Sequence, residues 1–189
     1  LLNGKEAIGS MGVDTPLAVL SDKPQLLFNY FKQLFAQVTN PPLDGIREEI
    51  VTDISLTLGR EFNLFDISDK HARKLFIENP IISNEDLDKI SCIDQNNLKA
   101  VKIPILYEVD MGFNGIEISL SEMVNEIDKE ISKGANIIIL SDRGVSASLA
   151  PIPVLLATSH VHNYFKRDKK RSSFGIIIES AEPREPHHF

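Results

Sequence analysis

The alternation of apolar and polar positions divides the chain into two halves. In the second half, apolar runs at residues 101–109, 135–140 and 174–180 alternate with segments at 119–135 and 152–168 that carry apolar residues at helical spacing. Matching points of successive runs lie about 35 to 40 residues apart, as in β-α-β units. The three strands are therefore expected to be parallel, and their continuous Ile and Leu runs indicate that both faces are covered.

The first half is dominated by helical spacing. Asp44 and Ser83 are expected to cap helices at their amino ends, and Gly59 is expected to terminate one of them. A further helix, predicted for residues 23–38, carries an apolar stripe of mostly aromatic residues that runs from Phe28 to Phe35. The predicted helices cover residues 23–38, 43–59 and 83–90, while residues 60–80 and 93–99 are expected to be irregular connections.

These patterns predict an α/β protein with a helical N-terminal half. We expect residues 1–100 to be mainly helical and residues 101–189 to form β/α units, with residues 1–189 together forming part of one domain. A chain of 189 residues with 42% hydrophobic residues can bury one sizeable core. The pattern leaves open whether the parallel strands form a doubly wound sheet or part of a barrel. The first residue is not Met and the last is an apolar Phe189, so we expect a fragment of a longer protein.

Composition removes several function classes. The formal charge of -7 and the lack of a long Lys and Arg run argue against a nucleic-acid binder. The single Cys92 excludes an internal disulfide and cannot supply the thiolates of an iron–sulfur cluster or a structural zinc site. No apolar run reaches the roughly 18 residues that a membrane span requires.

Charged residues follow two of the apolar runs. Ser141, Asp142 and Arg143 end one run, and Glu179 ends the next. Ligands of parallel α/β proteins gather at the carboxyl ends of strands, so an enzyme that uses Asp142, Arg143 and Glu179 as acid, base and anchor is one interpretation. The other is structural: Asp142 and Arg143 neutralise each other, and Gly144 makes a turn. Ser146 or Ser148 then caps the next helix.

Other candidate chemistry is weaker. His160 and His162 diverge on a helix and cannot share a metal ion. Cys92 has no basic neighbour in sequence that would lower its pKa, and residues 111–115 lack the glycine spacing of a dinucleotide site. No complete catalytic, cofactor or metal site is evident from the residues.

Several long strings carry a family resemblance. Residues 9–51, 136–164 and 179–189, with "FKQLFAQVTNPP" and "LSDRGVSA" among them, closely resemble the central domain of the large subunit of glutamate synthase. Residues 63–90 resemble it more loosely. The likeness covers nearly the whole chain, which neither chance nor a merely shared fold explains.

The resemblance implies a place inside a larger oxidoreductase of ammonia assimilation. Such enzymes release ammonia from glutamine in an amidotransferase domain and condense it with 2-oxoglutarate in a domain that binds FMN beside an iron–sulfur cluster. The central domain resembles the FMN barrel in its parallel β/α units, so a TIM-barrel-like but incomplete fold is expected here. It is expected to bind no cofactor, to join the two catalytic domains and to line part of an internal ammonia tunnel.

The resemblance also assigns residues and partners. Met11 and Thr39 are placed near the tunnel, with core packing and helix-end hydrogen bonding as their ordinary alternatives. Asp142 and Arg143 are expected to form a structural strand-end pair, so a pure scaffold is a further possibility. The parent is expected to draw electrons from ferredoxin or from a pyridine-nucleotide-dependent small subunit, in the cytoplasm or the plastid stroma. The fragment alone is expected to be inactive and to self-associate through the Phe28 to Phe35 stripe.

Overall fold

The computed structural model describes residues 16–32, 34–35 and 42–189. These residues form two compact units. The first comprises the described residues up to Asp53 together with Ala181–Phe189, and the second comprises Ile54–Ser180. The sheet and the charged residues at the strand ends all belong to the second unit.

The first unit is built from short helical turns. Phe28 is buried, and its ring stacks on that of His188 with 4.4 Å between the ring centroids. The Nε2 atom of His187 lies 3.1 Å from the carbonyl oxygen of Phe28. These contacts fasten the C-terminal segment to the segment around Phe28. The helical elements are the 3-10 helices Ala18–Leu20, Leu27–Phe31 and Pro186–His188 and the α-helix α1, Gly45–Val51.

The helix predicted for residues 23–38 was too long. Among the described residues of that segment, helical structure is confined to the 3-10 helix Leu27–Phe31, and Leu26 and Lys32 on either side have extended backbone. Phe, Tyr and Asn have modest helix propensity, and this turn buries only Phe28. Neither propensity nor burial therefore extends the turn into a longer helix.

Helix α1 begins as predicted and ends early. The Oδ1 atom of Asp44 accepts hydrogen bonds from the backbone N–H groups of Ile46 at 3.2 Å and Arg47 at 3.0 Å. The helix stops at Val51, where β-branched residues accumulate, and Leu56–Leu58 forms a strand instead. Gly59, at φ 140°, consequently follows a strand and does not terminate a helix.

The second unit alternates strands and helices along most of its length. Strands occur where irregular connections were expected: Leu75–Ile77 lies within residues 60–80, and Asp94–Gln95 and the start of Leu98–Pro104 lie within residues 93–99. The described part of the segment 1–100 therefore contains three complete strands and the beginning of a fourth besides its helices. In chain order the elements are β1 Leu56–Leu58, β2 Leu75–Ile77, α2 Asn84–Ser91, β3 Asp94–Gln95, β4 Leu98–Pro104, β5 Leu106–Glu108, α3 Gly112–Ser132, β6 Ile137–Ser141, β7 Leu149–Pro151, α4 Val154–Arg167 and β8 Gly175–Glu179.

A four-stranded sheet with the order β3-β4-β6-β8 forms the centre of the unit. Strands β4, β6 and β8 are parallel, so the predicted strand, helix, strand, helix, strand arrangement is confirmed. Strand β3 adds an antiparallel edge. Over the described residues the sheet is open, with β3 and β8 at its edges. The antiparallel pairs β1-β2 and β5-β7 form two smaller sheets.

Both faces of the parallel sheet are covered, as the apolar runs predicted. Ile137, Ile139 and Ile177 pack in one cluster with α2 and the β1-β2 pair. Side chains alternate along a strand, so Ile138 and Leu140 point to the opposite face, and both are fully buried. Helix α3 packs against β4 and against α4, and the buried stripes of the two helices cover this second face.

Polar side chains fix the start of α2 and the amino ends of β4 and β6. Ser83 caps α2 as predicted, since its Oγ atom accepts a hydrogen bond of 3.1 Å from the N–H of Asp86. The turn between β3 and β4 uses Asn96 and Asn97 at positive φ, which suits a two-residue hairpin. Asn136, 8% exposed, accepts a hydrogen bond from the N–H of Lys99 through its side chain and ties this hairpin to β6.

Gly115 permits the close approach of α3 to β5, and this gives a first prediction. A Cβ atom at this position would lie 2.9 Å from both the carbonyl oxygen of Glu108 and the Cβ atom of Met111. Backbone atoms cannot move aside cheaply, so Gly115→Ala is expected to lower the free energy of unfolding by about 1–3 kcal/mol despite alanine's better helix propensity. Urea unfolding followed by circular dichroism measures the change.

The matched control for this prediction is Asn114→Ala, at the preceding, exposed position of the same helix. It is expected to leave stability unchanged or slightly raised, because only helix propensity changes there. If Gly115→Ala were as stable as Asn114→Ala, close packing at Gly115 would not limit this helix.

Candidate functional site

Two of the charged residues predicted at the strand ends, Arg143 and Glu179, meet beside β6, the middle one of the three parallel strands. In the register of the parallel strands, Ser141 at the end of β6 lies between Pro104 of β4 and Glu179 of β8. The side chains of Ser141 and Glu179 therefore point to the same face. Lys102, two residues before Pro104, points to that face as well.

Glu179 is the centre of this group. Its carboxylate accepts a hydrogen bond of 2.6 Å from the hydroxyl of Ser141 and pairs with the Nζ atom of Lys102 at 3.0 Å. The Nε atom of Arg143 donates to its other oxygen. Glu179 is 9% exposed and Ser141 2% exposed, so this is a buried carboxylate with donors from β4, β6 and the loop after β6.

The loop after β6 is fixed by the same residues. The N–H of Asp142 donates to the carbonyl oxygen of Glu179 at 3.1 Å, and the N–H of Arg143 donates to the Oγ atom of Ser141 at 3.2 Å. Gly144 makes the turn at φ 100°, as the sequence predicted. The strand end and the turn thus form one hydrogen-bonded unit.

The structure adds one contact to the structural interpretation of the sequence and changes another. Arg143 forms an ion pair with Glu179 on the next strand, in addition to its electrostatic interaction with the adjacent Asp142. Ser146 accepts hydrogen bonds from the N–H groups of Ser148 and Leu149, so it caps the turn before β7. Helix α4 begins after Pro153 without a side-chain cap.

Electrostatics hold Glu179 in its charged form. Burial opposes ionisation, but the hydrogen bonds from Ser141, Arg143 and Lys102 and the charge of Lys102 outweigh it and lower the pKa of Glu179 to about 2. The hydrogen bond to Glu179 raises the pKa of Arg143. A carboxylate with so low a pKa does not exchange protons near neutral pH, and the Ser141 hydroxyl already donates its hydrogen bond to that carboxylate. The arrangement suits a brace better than an acid–base pair.

The structure describes only some of the remaining sequence candidates. Met11 and Thr39 fall outside the described residues, so their placement stays a prediction. The ring of His160 stacks on that of Tyr164, while His162 accepts a hydrogen bond from the Nε atom of Arg171 at 3.1 Å. Within the described ranges, no three His, Cys, Asp or Glu side chains are grouped so that they could hold a metal ion. None of the helices described combines the length and apolar character needed to cross a membrane.

Sequence reasoning missed Lys102. It is a charged residue with apolar neighbours, Val101 and Ile103, on both sides, which was a usable signal, because a lysine at such a position needs a partner or a route to solvent. The partner itself is 77 positions away in sequence and two strands away in the sheet, counting 179 minus 102. Only the strand register brings the two side chains together.

The brace makes a prediction about stability. Glu179→Gln keeps the side-chain shape but removes the charge that Lys102 and Arg143 face, so the free energy of unfolding should fall by about 2–3 kcal/mol at pH 7. Glu126→Gln, an exposed position on α3, serves as the control and should cost little. Urea unfolding at pH 7 compares the variants, and equal stabilities would show that the buried charge contributes nothing.

The same pair of variants gives the pH dependence. A carboxyl whose pKa is lower in the folded than in the unfolded chain contributes stability above its unfolded pKa, here 4.5, and loses it as the pH falls towards about 2. The difference in free energy of unfolding between the native chain and Glu179→Gln should therefore be constant from neutral pH down to about 5 and shrink below that pH. A difference that persists unchanged at pH 3 would contradict a charge-based brace.

Comparison with known proteins gives the family. The sequence model of the protein family described as the glutamate synthase central domain matches residues 1–189. The chain is 46% identical over 186 residues to the glutamate synthase [NADPH] large chain of Bacillus subtilis, covering 98% of this chain and 12% of that protein. It is 38% identical over 190 residues to ferredoxin-dependent glutamate synthase 2 of Synechocystis, with 98% and 12% covered.

A eukaryotic relative agrees. The glutamate synthase [NADH] of Schizosaccharomyces pombe is 38% identical over 187 residues, which cover 98% of this chain and 9% of that protein. The chain thus spans between 9% and 12% of the length of these relatives. From the match along all of its residues, the chain belongs to the glutamate synthase central domain family.

Proposed function

We propose that this chain is the non-catalytic central domain segment of a glutamate synthase, an oxidoreductase that forms glutamate from glutamine-derived ammonia and 2-oxoglutarate. The match along residues 1–189 carries the proposal. The chemistry of the strand ends supports it, because the buried Glu179 is committed to Lys102, Ser141 and Arg143. The segment then acts by position, joining the amidotransferase and FMN domains of the same polypeptide.

The cofactors of the proposed parent do not fit this chain. A single cysteine, Cys92, cannot hold an iron–sulfur cluster. A flavin phosphate needs a cradle of backbone donors, yet the N–H groups of Asp142 and Arg143 at the end of β6 are already bound to Glu179 and Ser141. FMN and the cluster therefore belong to residues of the parent outside this chain.

The barrel likeness is part of the same proposal. The units β4-α3-β6 and β6-α4-β8 have the parallel pairing and covered faces from which a (β/α) barrel is assembled. In such an incomplete barrel, related to the FMN domain, the carboxyl ends of the strands bind no ligand. Charged side chains that pair with one another occupy this edge instead. Relatives include an NADPH-dependent and a ferredoxin-dependent enzyme, so either electron donor is compatible with this segment.

The proposed compartment is inferred from relatives. Two further relatives, from spinach and rice, are named chloroplastic, and others are bacterial or yeast proteins. The proposed location is therefore the cytoplasm, or the plastid stroma in a photosynthetic eukaryote.

The tunnel role concerns Met11 and Thr39. A conduit for neutral ammonia requires apolar or hydroxyl-bearing walls, because a charged lining favours trapped ammonium. Methionine and threonine meet that requirement, and their motifs carry the family resemblance. A pure scaffold, in contrast, places no constraint on the polarity of either side chain.

Charge introduced at these positions tests the tunnel in the full-length parent. Met11→Lys and Thr39→Lys should each lower the 2-oxoglutarate consumed per glutamine hydrolysed by about tenfold, equivalent to a barrier of ~1.4 kcal/mol, and release free ammonia. Glutamine hydrolysis itself should persist. Simultaneous assays of ammonia, 2-oxoglutarate and glutamine give the ratio.

The matched controls are Met111→Lys and Thr57→Lys. Met111 is 43% exposed and Thr57 is exposed on β1, so a lysine there reaches solvent and should leave the ratio unchanged. A normal ratio in both test variants would remove Met11 and Thr39 from the conduit and favour the scaffold.

The proposal and the alternative of a free-standing enzyme differ in what they predict for the isolated chain. Under the proposal, the isolated 189-residue chain should form no glutamate from glutamine or ammonia with 2-oxoglutarate and a reductant, because its buried carboxylate is held charged. Product analysis by mass spectrometry with labelled 2-oxoglutarate measures this. Turnover by the isolated chain that Glu179→Gln abolishes would establish a free-standing β/α enzyme instead.

A further inference from the structure

Residues 63–67 form a loop that carries the most conspicuous exposed apolar surface of the second unit. Leu64 is 85% exposed, Phe65 96% and Ile67 103%. These are three of the four most exposed large apolar side chains in the described part of the chain. Single exposed apolar residues are ordinary, but a group within four positions marks an interaction surface. We call residues 63–67 the apolar loop.

The apolar loop is ordered by its own hydrogen bonds. The side-chain oxygen of Asn63 accepts a hydrogen bond from the N–H of Phe65 at 3.1 Å, and the backbone carbonyl oxygen of Asn63 accepts one from the N–H of Asp66 at 2.9 Å. The Nε2 atom of His71 donates to the carbonyl oxygen of Asp66 at 2.8 Å. The loop is therefore a closed turn with its apolar side chains on the outside, and binding it would cost little ordering entropy.

Contacts behind the loop hold its base. The ring of Phe62 meets that of His71 edge to face, with 5.8 Å between centroids, and the guanidinium of Arg60 lies 5.4 Å from the Phe62 ring centroid. The N–H of Glu61 donates to the carbonyl oxygen of Ser172, which ties the base to the segment before β8. The apolar loop projects from a fixed support.

Charge around the loop distinguishes between kinds of partner. Asp66 and Asp69 are matched by Lys70 and Arg73, and Arg73 pairs with Asp69 at 2.5 Å. A loop that enters an anionic membrane surface carries an excess of Lys and Arg, which is missing here. An apolar tip inside a balanced polar rim is the pattern of a protein–protein contact.

We infer that the apolar loop inserts Leu64 and Phe65 into an apolar pocket on a neighbouring domain of the same parent polypeptide. This inference rests on the proposed function, since it needs a parent. The chain spans 9% to 12% of the length of its relatives, so such a parent has most of its surface outside these residues. The occupant is that covalently linked protein surface.

Side-chain oxidation by hydroxyl radicals tests the contact directly. Phe65 should react readily in the isolated chain and about fivefold less in the full-length parent, because the core of an interface excludes water. Phe165, which is 0% exposed, reports on unfolded protein in both samples and should stay unreactive. The labelling requires no enzymatic activity, so it can fail independently of the proposed function.

Substitution separates docking from folding. Leu64→Ser combined with Phe65→Ser should lower the thermal unfolding midpoint of the full-length parent and leave that of the isolated chain unchanged. Asp66→Ser is the matched control within the apolar loop, since it removes a charge and keeps the apolar side chains. It should leave both midpoints unchanged.

Each other outcome overturns the inference. Equal oxidation of Phe65 in both samples places the loop in solvent, and protection already present in the dilute isolated chain means that the chain covers the loop itself. Protection that grows with the concentration of the isolated chain identifies a second copy as the occupant. Protection that appears only with vesicles of phosphatidylcholine and phosphatidylserine identifies a membrane.

Discussion

A buried negative charge governs the carboxyl end of the parallel sheet. Taking the Glu179 carboxylate out of water opposes folding, and its contacts with Ser141, Lys102 and Arg143 offset this cost. Those partners come from β4, β6 and the loop after β6, so the relative positions of the strand ends and the loop follow from one electrostatic requirement. Removing any partner would leave a charge with less compensation in a place that water hardly reaches.

This requirement explains why the strand ends are unsuited to catalysis. An acid–base group needs a pKa near the working pH and a free path for its proton, whereas the pKa of Glu179 is lowered to about 2 and its oxygens are occupied. Parallel α/β folds usually leave this edge open for ligands. Here the protein's own side chains fill it.

The β/α half could be predicted from sequence because its signals are local. Its apolar runs and helical spacing each depend on neighbouring residues, and the parallel pairing followed from their order. The Ser83 cap in the first half could be predicted for the same reason. The helix expected at 23–38 failed because apolar spacing alone does not make a helix when propensity is modest and only Phe28 is buried. The prediction that α1 continues to residue 59 failed for a related reason. The row of apolar residues belongs first to a helix, which ends at Val51, and then to the strand β1.

The candidate site was predictable only in part. Sequence placed Arg143 and Glu179 at neighbouring strand ends, but it did not predict an ion pair between them. That pair depends on the strand register, because residues in register on neighbouring strands face each other. Lys102 shows the same limit, since its partner is set by the pairing of β4, β6 and β8.

The sheet is fixed at both ends by buried polar side chains. Asn136 ties the β3-β4 hairpin to the start of β6, and Glu179 ties the strand ends to the following loop. Between them the core is apolar and covered on both faces. Polar groups buried in this way specify one register, because a shift by one residue would leave each of them without its partners. The proposed role, joining other domains of a long polypeptide, needs that uniqueness more than it needs a reactive group.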